Sequence, residues 1–378
     1  MLVVLSGAKK NVGDFVITER AERILQHVTG HEIRRLPNWE SLDHHLDVLR
    51  AADGIVVAGG PGYRPDLHGG VYPLTSDPGV LAELAVPVTF FGLGWKGDPG
   101  DDFDHHHYRF NMRTRQLIET LGGAGRYSAR DDLSVTVLSK NNVPQPVMSG
   151  CPVWYDLETL NRWSDPPQAI KQVVFTPPQQ EMFHDQSRRL LATLKDRYVD
   201  AHFIVAFQRG IAQDVHTSAA EARLLIDYER YARELGCEVR DVSYDTRHID
   251  FYRDSDLHVG YRLHAHLVFL SYGRPSVILE EDGRARGAAE SLDTPSVRAW
   301  RLTAAGKLAR RFHSHPAESF ARRAGAPIKA ARVDVAADVM AIIESERAAG
   351  HPAVRRATGR IAATWPIMQD FARGVVRT

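Results

Sequence analysis

A chain of 378 residues, 43% hydrophobic and 25% charged, has the length and composition of a globular protein of about two domains with ample material for a core. Lys plus Arg and Asp plus Glu stand at 47 each, so nothing in the overall charge argues for nucleic acid or a membrane as partner. No run approaches the roughly 20 apolar residues of a membrane-spanning helix. The apolar start, Met1 to Leu5, lacks a basic leader and a small-residue cleavage site, so it reads as a first strand and not as a signal peptide. Cys151 and Cys237 are too few and too far apart for a disulfide framework or a zinc site, and a cytoplasmic location is the default expectation.

In chain order, Leu2 to Ser6 is the first buried strand, followed by a loop to Gly13 and a helix from about Asp14 to Val28. An Asp at a strand-to-helix turn is first of all a helix cap, and Asp14 is weighed as such. A strand near Glu32 to Leu36, a helix near Leu42 to Arg50 and a strand at Gly54 to Ala58 follow. That strand runs into Gly59-Gly60-Pro61-Gly62, which reads equally as a tight turn or as a place of close backbone approach to a ligand. Pro87 to Gly92 is a strand, and His105-His106-His107 opens a helix to about Leu121. Three successive histidines on a helix diverge and cannot share one metal. After the short strand Arg126 to Ala129, Arg130 stands at the next strand-to-helix junction, with Asp131 as the expected cap and also a structural partner for Arg130.

Asn161 to Ala169 is polar and proline-bearing, the best linker in the chain. Beyond it the alternation restarts: strands at Gln172 to Thr176, His202 to Ala206 and Glu238 to Val242, with helices at Glu181 to Arg197 and Ser218 to Leu235 and a short helix near Ile249 to Arg253. The expected architecture is α/β, with two doubly wound, Rossmann-like domains facing a cleft, at 1–160 and 170–300, and a helical extension at 301–378. Within that extension, Val333 to Glu346 and Gly359 to Val376 read as helices, and the Ala-rich basic stretch Arg298 to Arg323 reads as a solvated face.

The most informative stretch is Asp256 to Asp282. A short apolar strand ends at Gly260, Tyr261-Arg262-Leu263-His264 forms a polar elbow, a helix runs to Gly273, and a second apolar strand closes in Glu280-Glu281-Asp282. The elbow falls at the carboxyl edge of a parallel sheet, where open α/β folds bind ligands. A helix start there attracts anions, Arg262 adds a planar fork for phosphate or carboxylate, and His264 adds a group that titrates near neutrality. A solvated arginine and a capping histidine are the structural alternative.

Four segments in order resemble the polysaccharide pyruvyl transferase family: Asn11-Val12-Gly13-Asp14, the strand and glycine-rich loop Gly54 to Gly62, Ser128 to Leu138 with its Arg130-Asp131 helix start, and Arg262 to Pro275 with its R-x-H-A motif. Pro61 stands where a third glycine is usual, and the stretch after Asp282 is rich in arginine where a lysine is expected. The resemblance implies a fold like that of two-domain B-type (GT-B) glycosyltransferases, with the acceptor on the N-terminal side and the donor on the C-terminal side. It implies transfer of the enolpyruvyl group of phosphoenolpyruvate to two sugar hydroxyls as a cyclic ketal, with no cofactor and no metal. It further implies His264 and Asp14 as catalytic residues, and Arg130, Arg262, Leu263, Asn11, Gly13 and Gly60 as substrate-binding residues.

The residue chemistry is compatible. A donor bearing phosphate and carboxylate wants cationic forks, which Arg130 and Arg262 offer. His264 beside a bound dianion is a candidate proton donor for the methylene carbon, and Asp14 is a candidate base or orienting group for the acceptor hydroxyl. Two alternatives stand beside this reading: a nucleotide-sugar glycosyltransferase of the same architecture, with an acid among Glu280 to Asp282 holding a ribose, and a non-catalytic binding protein. The expected partners are a small-molecule donor and a saccharide acceptor, with no nucleic acid and no transmembrane segment; a homo-oligomer stays open.

Overall fold

Apolar runs separated by amphipathic helices assemble into two parallel six-stranded sheets. The computed structural model describes residues 1–67, 83–84, 86–121, 126–311 and 326–376. The first sheet holds β1 (Leu2–Ser6), β2 (Ile33–Pro37), β3 (Gly54–Ala58), β4 (Val88–Leu93), β5 (Tyr127–Ala129) and β6 (Val147–Met148), in the order β2-β1-β3-β4-β5-β6. The second holds β7 (Gln172–Thr176), β8 (His202–Phe207), β9 (Glu238–Asp241), β10 (Leu257–Gly260), β11 (Ser276–Glu280) and β12 (Ser296–Arg298), in the order β12-β11-β10-β7-β8-β9. Strands β1, β3 and β4 are buried along their whole length, which is why they read as continuous apolar runs and not as alternations.

The helix after β1 spans Val12–Thr29 and ends at Gly30, whose left-handed φ of 69° no β-carbon obstructs. It starts two residues earlier than its sequence suggests. Asn11 occupies the cap position, so Asp14 lies inside the first turn and is not the cap. The short helix expected near Ile249 is a 3-10 turn over Thr246–Asp254.

The helix Leu263–Ser271 is buried on every side. A helix with apolar residues all round has no solvent face to offer, so it belongs in the middle of a structure. It packs on β10 and β11, on the helix Val12–Thr29, on the 3-10 turn Pro152–Trp154 between the sheets, and on the last helix. Arg20 braces this junction. Its guanidinium donates to Val153 O, to Ser271 Oγ at 2.8 Å and to Asp156 at 3.1 Å, with both ends of the ion pair 7% exposed.

The last stretch does more than extend the second unit. A two-stranded antiparallel ribbon, β13 (Trp300–Leu302) with β14 (Lys329–Ala331), precedes the helix Ala336–Ala348, which packs against the helix His184–Arg197. After Gly350 and His351, both at positive φ, the helix Pro352–Arg373 crosses to the first unit. There it lies along Val12–Thr29, with Phe371 against Phe91 at 6.0 Å and Trp365 against Tyr155 at 5.1 Å. The part of the basic stretch from 312 to 323 lies outside the described residues.

Removing Arg20 would leave Asp156 as a buried charge that has lost its principal partner. Arg20→Met is expected to destabilise by about 3–5 kcal/mol, read as a fall in the urea midpoint; a loss below 1 kcal/mol would show that Arg20 is not the brace.

Candidate functional site

In each sheet the strand order reverses once, between β1 and β3 in the first and between β7 and β10 in the second. Loops leaving a parallel sheet at such a reversal diverge and open a crevice. The two crevices face each other, and their loops enclose a cavity of about 330 Å³.

The loop after β1 contributes Lys9, Asn11 and Asp14 to its lining, and the loop after β3 contributes Gly59, Gly60, Pro61 and Arg64. From across the cleft come Gln179 after β7, Arg209 after β8, His264 after β10 and Arg284 after β11, with Lys96 following β4. Gly59 and Gly60 have φ of 52° and 76°, and a β-carbon on Gly59 would come within 2.2 Å of Ile17, so this turn requires glycine. The two halves are clasped beside the cavity. Val12 N–H donates to Gln208 O at 2.9 Å, and the buried Lys10 ammonium reaches Asp214 and Thr217 Oγ1, each at 2.6 Å.

His264 opens its helix with the ring against Gly13. A β-carbon there would lie 2.3 Å from Nδ1, so only glycine admits the imidazole. Its Nε2 is buried without a hydrogen-bond partner. Burial, then the charges of Arg130, Arg284 and Arg262, push its pKa well below the ordinary histidine value, so the ring is neutral in the free protein. On the opposite wall, Asp14 Oδ2 accepts from Asn11 Nδ2 at 3.1 Å. Burial raises the Asp14 pKa, against that hydrogen bond and the charges of Arg284, Arg262 and Arg209.

The cations differ in how they are held. Arg284 makes a two-pronged pair with Asp282, at 2.9 Å and 2.7 Å; Asp282 is buried, yet Arg284 and Lys96 hold its pKa down to about 2. Burial lowers the Lys96 pKa, as does Arg284, against the pull of Asp282 and Asp98. Arg209 has no hydrogen-bond or ion-pair partner among the described residues. Arg262 touches only neutral oxygens, Gln179 Oε1 at 3.3 Å and Asn11 Oδ1 at 3.4 Å, and lines a second cavity beside the first. Burial pulls its pKa down to about 10 despite Glu281, leaving it charged at neutral pH.

The candidate residues thus part company. Asn11, Asp14, Gly60 and His264 line the central cavity, Gly13 makes room for the imidazole, and Arg262 stands at the cavity's edge. Leu263 turns into the core between the sheets. Arg130 is 2% exposed and offers no open fork: Nε donates to Asp131 at 2.9 Å and Nη2 to Trp95 O at 2.6 Å, under Gly94, where a β-carbon would collide with it. Only its Nη1 is unpartnered. Asp131 caps the following helix through Ser134 N–H at 2.7 Å. The acids after β11 are also occupied internally. Glu280 accepts from Ser296 Oγ at 2.5 Å, Glu281 from the Gln179 and Gln180 amides at 3.1 and 3.2 Å, and Asp282 holds Arg284.

His105, His106 and His107 take separate environments: His105 edge-on to Trp95, His106 beside Lys140, and His107 Nδ1 on Phe103 O at 2.8 Å. Among the described residues, no group of three His, Cys, Asp or Glu side chains is placed to hold a metal ion.

Lys9, Arg64, Lys96, Arg209 and Arg284 were not singled out by motif. One sequence signal finds them: a cation follows shortly after almost every central strand, namely Lys9 after β1, Arg64 after β3, Lys96 after β4, Arg209 after β8 and Arg284 after β11.

Fold and site together define an α/β protein of two parallel-sheet units whose cleft gathers cationic side chains beside a neutral imidazole and a carboxylate. The family model for polysaccharide pyruvyl transferase matches residues 9–283, and the chain belongs to that family. It is therefore a transferase. Among curated proteins none matches the sequence. Solved structures with a similar fold include the UDP-GlcNAc 2-epimerase of Neisseria meningitidis bound to UDP-GlcNAc, at 12% identity and a TM-score of 0.49 over 79% of this chain and 87% of that one. The S. aureus MnaA–UDP structure matches at 12% identity and 0.46 over 78% and 82%. A variant of the Thermobaculum terrenum O-GlcNAc transferase matches at 14% and 0.43 over 99% and 68%. No helix among the described residues is long and apolar enough to cross a membrane.

Three buried histidines give the fold a signature in pH. His258 lies between Thr176 Oγ1 at 2.8 Å and Ser276 Oγ at 2.7 Å, and His266 Nδ1 shares that Ser276 oxygen at 2.7 Å. Burial depresses both, His266 to about 3, as it does His264. A histidine with a depressed native pKa takes up its proton only on unfolding, so it lowers stability as pH falls below the unfolded value of about 6.5. Each contributes roughly 1.4 kcal/mol per pH unit in that window. Unfolding free energy is expected to fall steeply from pH 6.5 towards 4, and the slope should ease by about one proton in His258→Asn; an unchanged slope would contradict the neutral assignment.

Proposed function

We propose that the protein transfers the enolpyruvyl group of phosphoenolpyruvate to two hydroxyls of a sugar in a glycan or glycan precursor, forming a pyruvate ketal and releasing phosphate. The observation that carries this reading is the pairing of cations in excess of carboxylates with the buried His264 Nε2, which has no hydrogen-bond partner among the described residues, in one cavity facing Asp14. Family membership supports it.

The donor carries a phosphate and a carboxylate, and the cavity offers Lys9, Arg64, Lys96, Arg209 and Arg284. Guanidinium groups bind such planar or tetrahedral oxyanions through paired N–H donors. Binding also changes His264. Burial and, after it, the nearby arginines keep the ring neutral; the ligand's negative charge offsets the arginines, so the ring's affinity for a proton rises when there is something to protonate. His264 then delivers a proton to the methylene carbon of the donor, which becomes the methyl group. The positive charge developing at the central carbon is met by the first sugar oxygen, whose proton Asp14 accepts. The second hydroxyl attacks the same carbon as the carbon–oxygen bond to phosphate breaks, and its proton leaves with the phosphate or through Asp14. The net change is one donor and one diol converted to one ketal and one inorganic phosphate.

Arg209 has no structural partner to lose, so its removal reports on binding and not on folding. Arg209→Ala is expected to weaken phosphoenolpyruvate binding by roughly 10- to 100-fold, the value of a charge-assisted hydrogen bond, with an unchanged melting temperature. Equal affinity in calorimetry would remove Arg209 from the donor site. His264→Gln keeps the volume near Gly13 but cannot deliver the proton, so turnover should fall by about 10²–10⁴-fold with donor affinity retained. Phosphate release and ketal formation at the native rate in that variant would refute the acid role.

A further inference from the structure

Lys96 and Arg284 enter the central cavity from opposite units, Lys96 on the loop after β4 and Arg284 just after β11. Both face Asp282, Arg284 through its two-pronged pair and Lys96 at 3.9 Å. Two cations that share one carboxylate repel each other, so their separation depends on how the two loops are held. The loops meet backbone to backbone. Gly283 N–H donates to Gly97 O at 3.1 Å, and a β-carbon on Gly100 would lie 2.1 Å from Gly283 N.

The group that pins this contact comes from the last stretch of the chain, outside the segment 9–283 that the family model matches. Lys329, on β14, is 7% exposed. Its ammonium reaches Asp98 Oδ1 at 2.6 Å, just past Lys96, and donates to Glu281 O at 2.6 Å, just before Arg284. The same stretch holds the loop at a second point. Arg310, in the helix Ala304–Arg311, pairs with Asp101 at 3.0 Å and with Asp104 at 2.8 Å. Burying an ammonium is costly unless its partners compensate, and an apolar side chain would serve a residue whose only role was packing. Lys329 instead directs its donors at the two loops that carry cavity cations. We propose that Lys329 is a positioning residue of the anion site: by tying the loop after β4 to the end of β11, it holds Lys96 at the distance from Arg284 at which both reach one bound oxyanion. It acts through Lys96, since Arg284 is already fixed by Asp282 on its own unit. The inference rests on the reading of the cavity as a phosphoenolpyruvate site, and inorganic phosphate serves as a second probe that does not depend on the donor's identity.

Lys329→Met keeps the length of the side chain and removes the ammonium, and Asp98→Ala cuts the same pair from its half-exposed end should the first variant not fold. Calorimetry on the full chain should show phosphoenolpyruvate and inorganic phosphate each bound about tenfold more weakly in either variant. In a Lys96→Met background, which weakens both anions by itself, adding Lys329→Met or Asp98→Ala should change neither affinity further, because residues that act through one another are not additive. A purely structural lysine would show the full loss again in that background, or none in either. Native affinity for both anions in the folded single variant, or an undiminished further loss in the Lys96→Met background, overturns the proposal. Failure of the donor reading shows separately, as absent phosphoenolpyruvate binding with the phosphate result intact; a native protein that binds neither anion overturns both.

Discussion

Everything in the cleft follows from cations gathered in excess of the acids that could cancel them. Lys9, Arg64, Lys96, Arg209 and Arg284 converge on one cavity that holds a single lining carboxylate, Asp14. Like charges in a half-buried space repel, so the arrangement persists only because the surrounding fold fixes it. Parallel strands deliver the cations to one edge, and Asp282 anchors Arg284 through a two-pronged pair. The same excess charge acts on the two groups that bear protons. Burial first and this charge second keep His264 neutral, and the Asn11 hydrogen bond together with the same charge keeps Asp14 from rising as far as burial alone would take it.

The fold was legible because both sheets are parallel and buried. Continuous apolar strands such as Val88–Leu93 and Leu257–Gly260, alternating with helical periodicity, leave few other architectures open. Most errors fell at element ends, and the one helix expected from His105 to about Leu121 is two, Asp102–His107 and Met112–Leu121. Asp14 reads as a cap since Asp caps helices, but Asn11 precedes it and takes that position, leaving the carboxylate free to face the cavity. The crossing of the last helix was not legible either, because nothing in a helical period says which neighbour the helix covers.

The site was half legible. Motifs that combine backbone constraint with side-chain chemistry led to residues that the fold brings together: Gly13 and His264 fit because one lacks the atom that the other's ring displaces. Arg130 shows the opposite case. Its position after a strand matches that of a ligand-binding arginine, yet Asp131 and the Trp95 carbonyl take up most of its donors. Whether a guanidinium is free or committed depends on its neighbours in space, which a sequence does not list. Arg209, with no hydrogen-bond or ion-pair partner among the described residues, sits in no motif.

The chain passes between the two halves twice, once after Met148 and again at Gly350–His351, where the last helix returns to the first unit. The two covalent crossings tether the halves at two separate places, and Lys10, its ammonium held by Asp214 and Thr217, adds a non-covalent tie between them beside the cavity. Parting the halves there would leave that buried ammonium without its carboxylate, a cost of several kcal/mol in a dry setting.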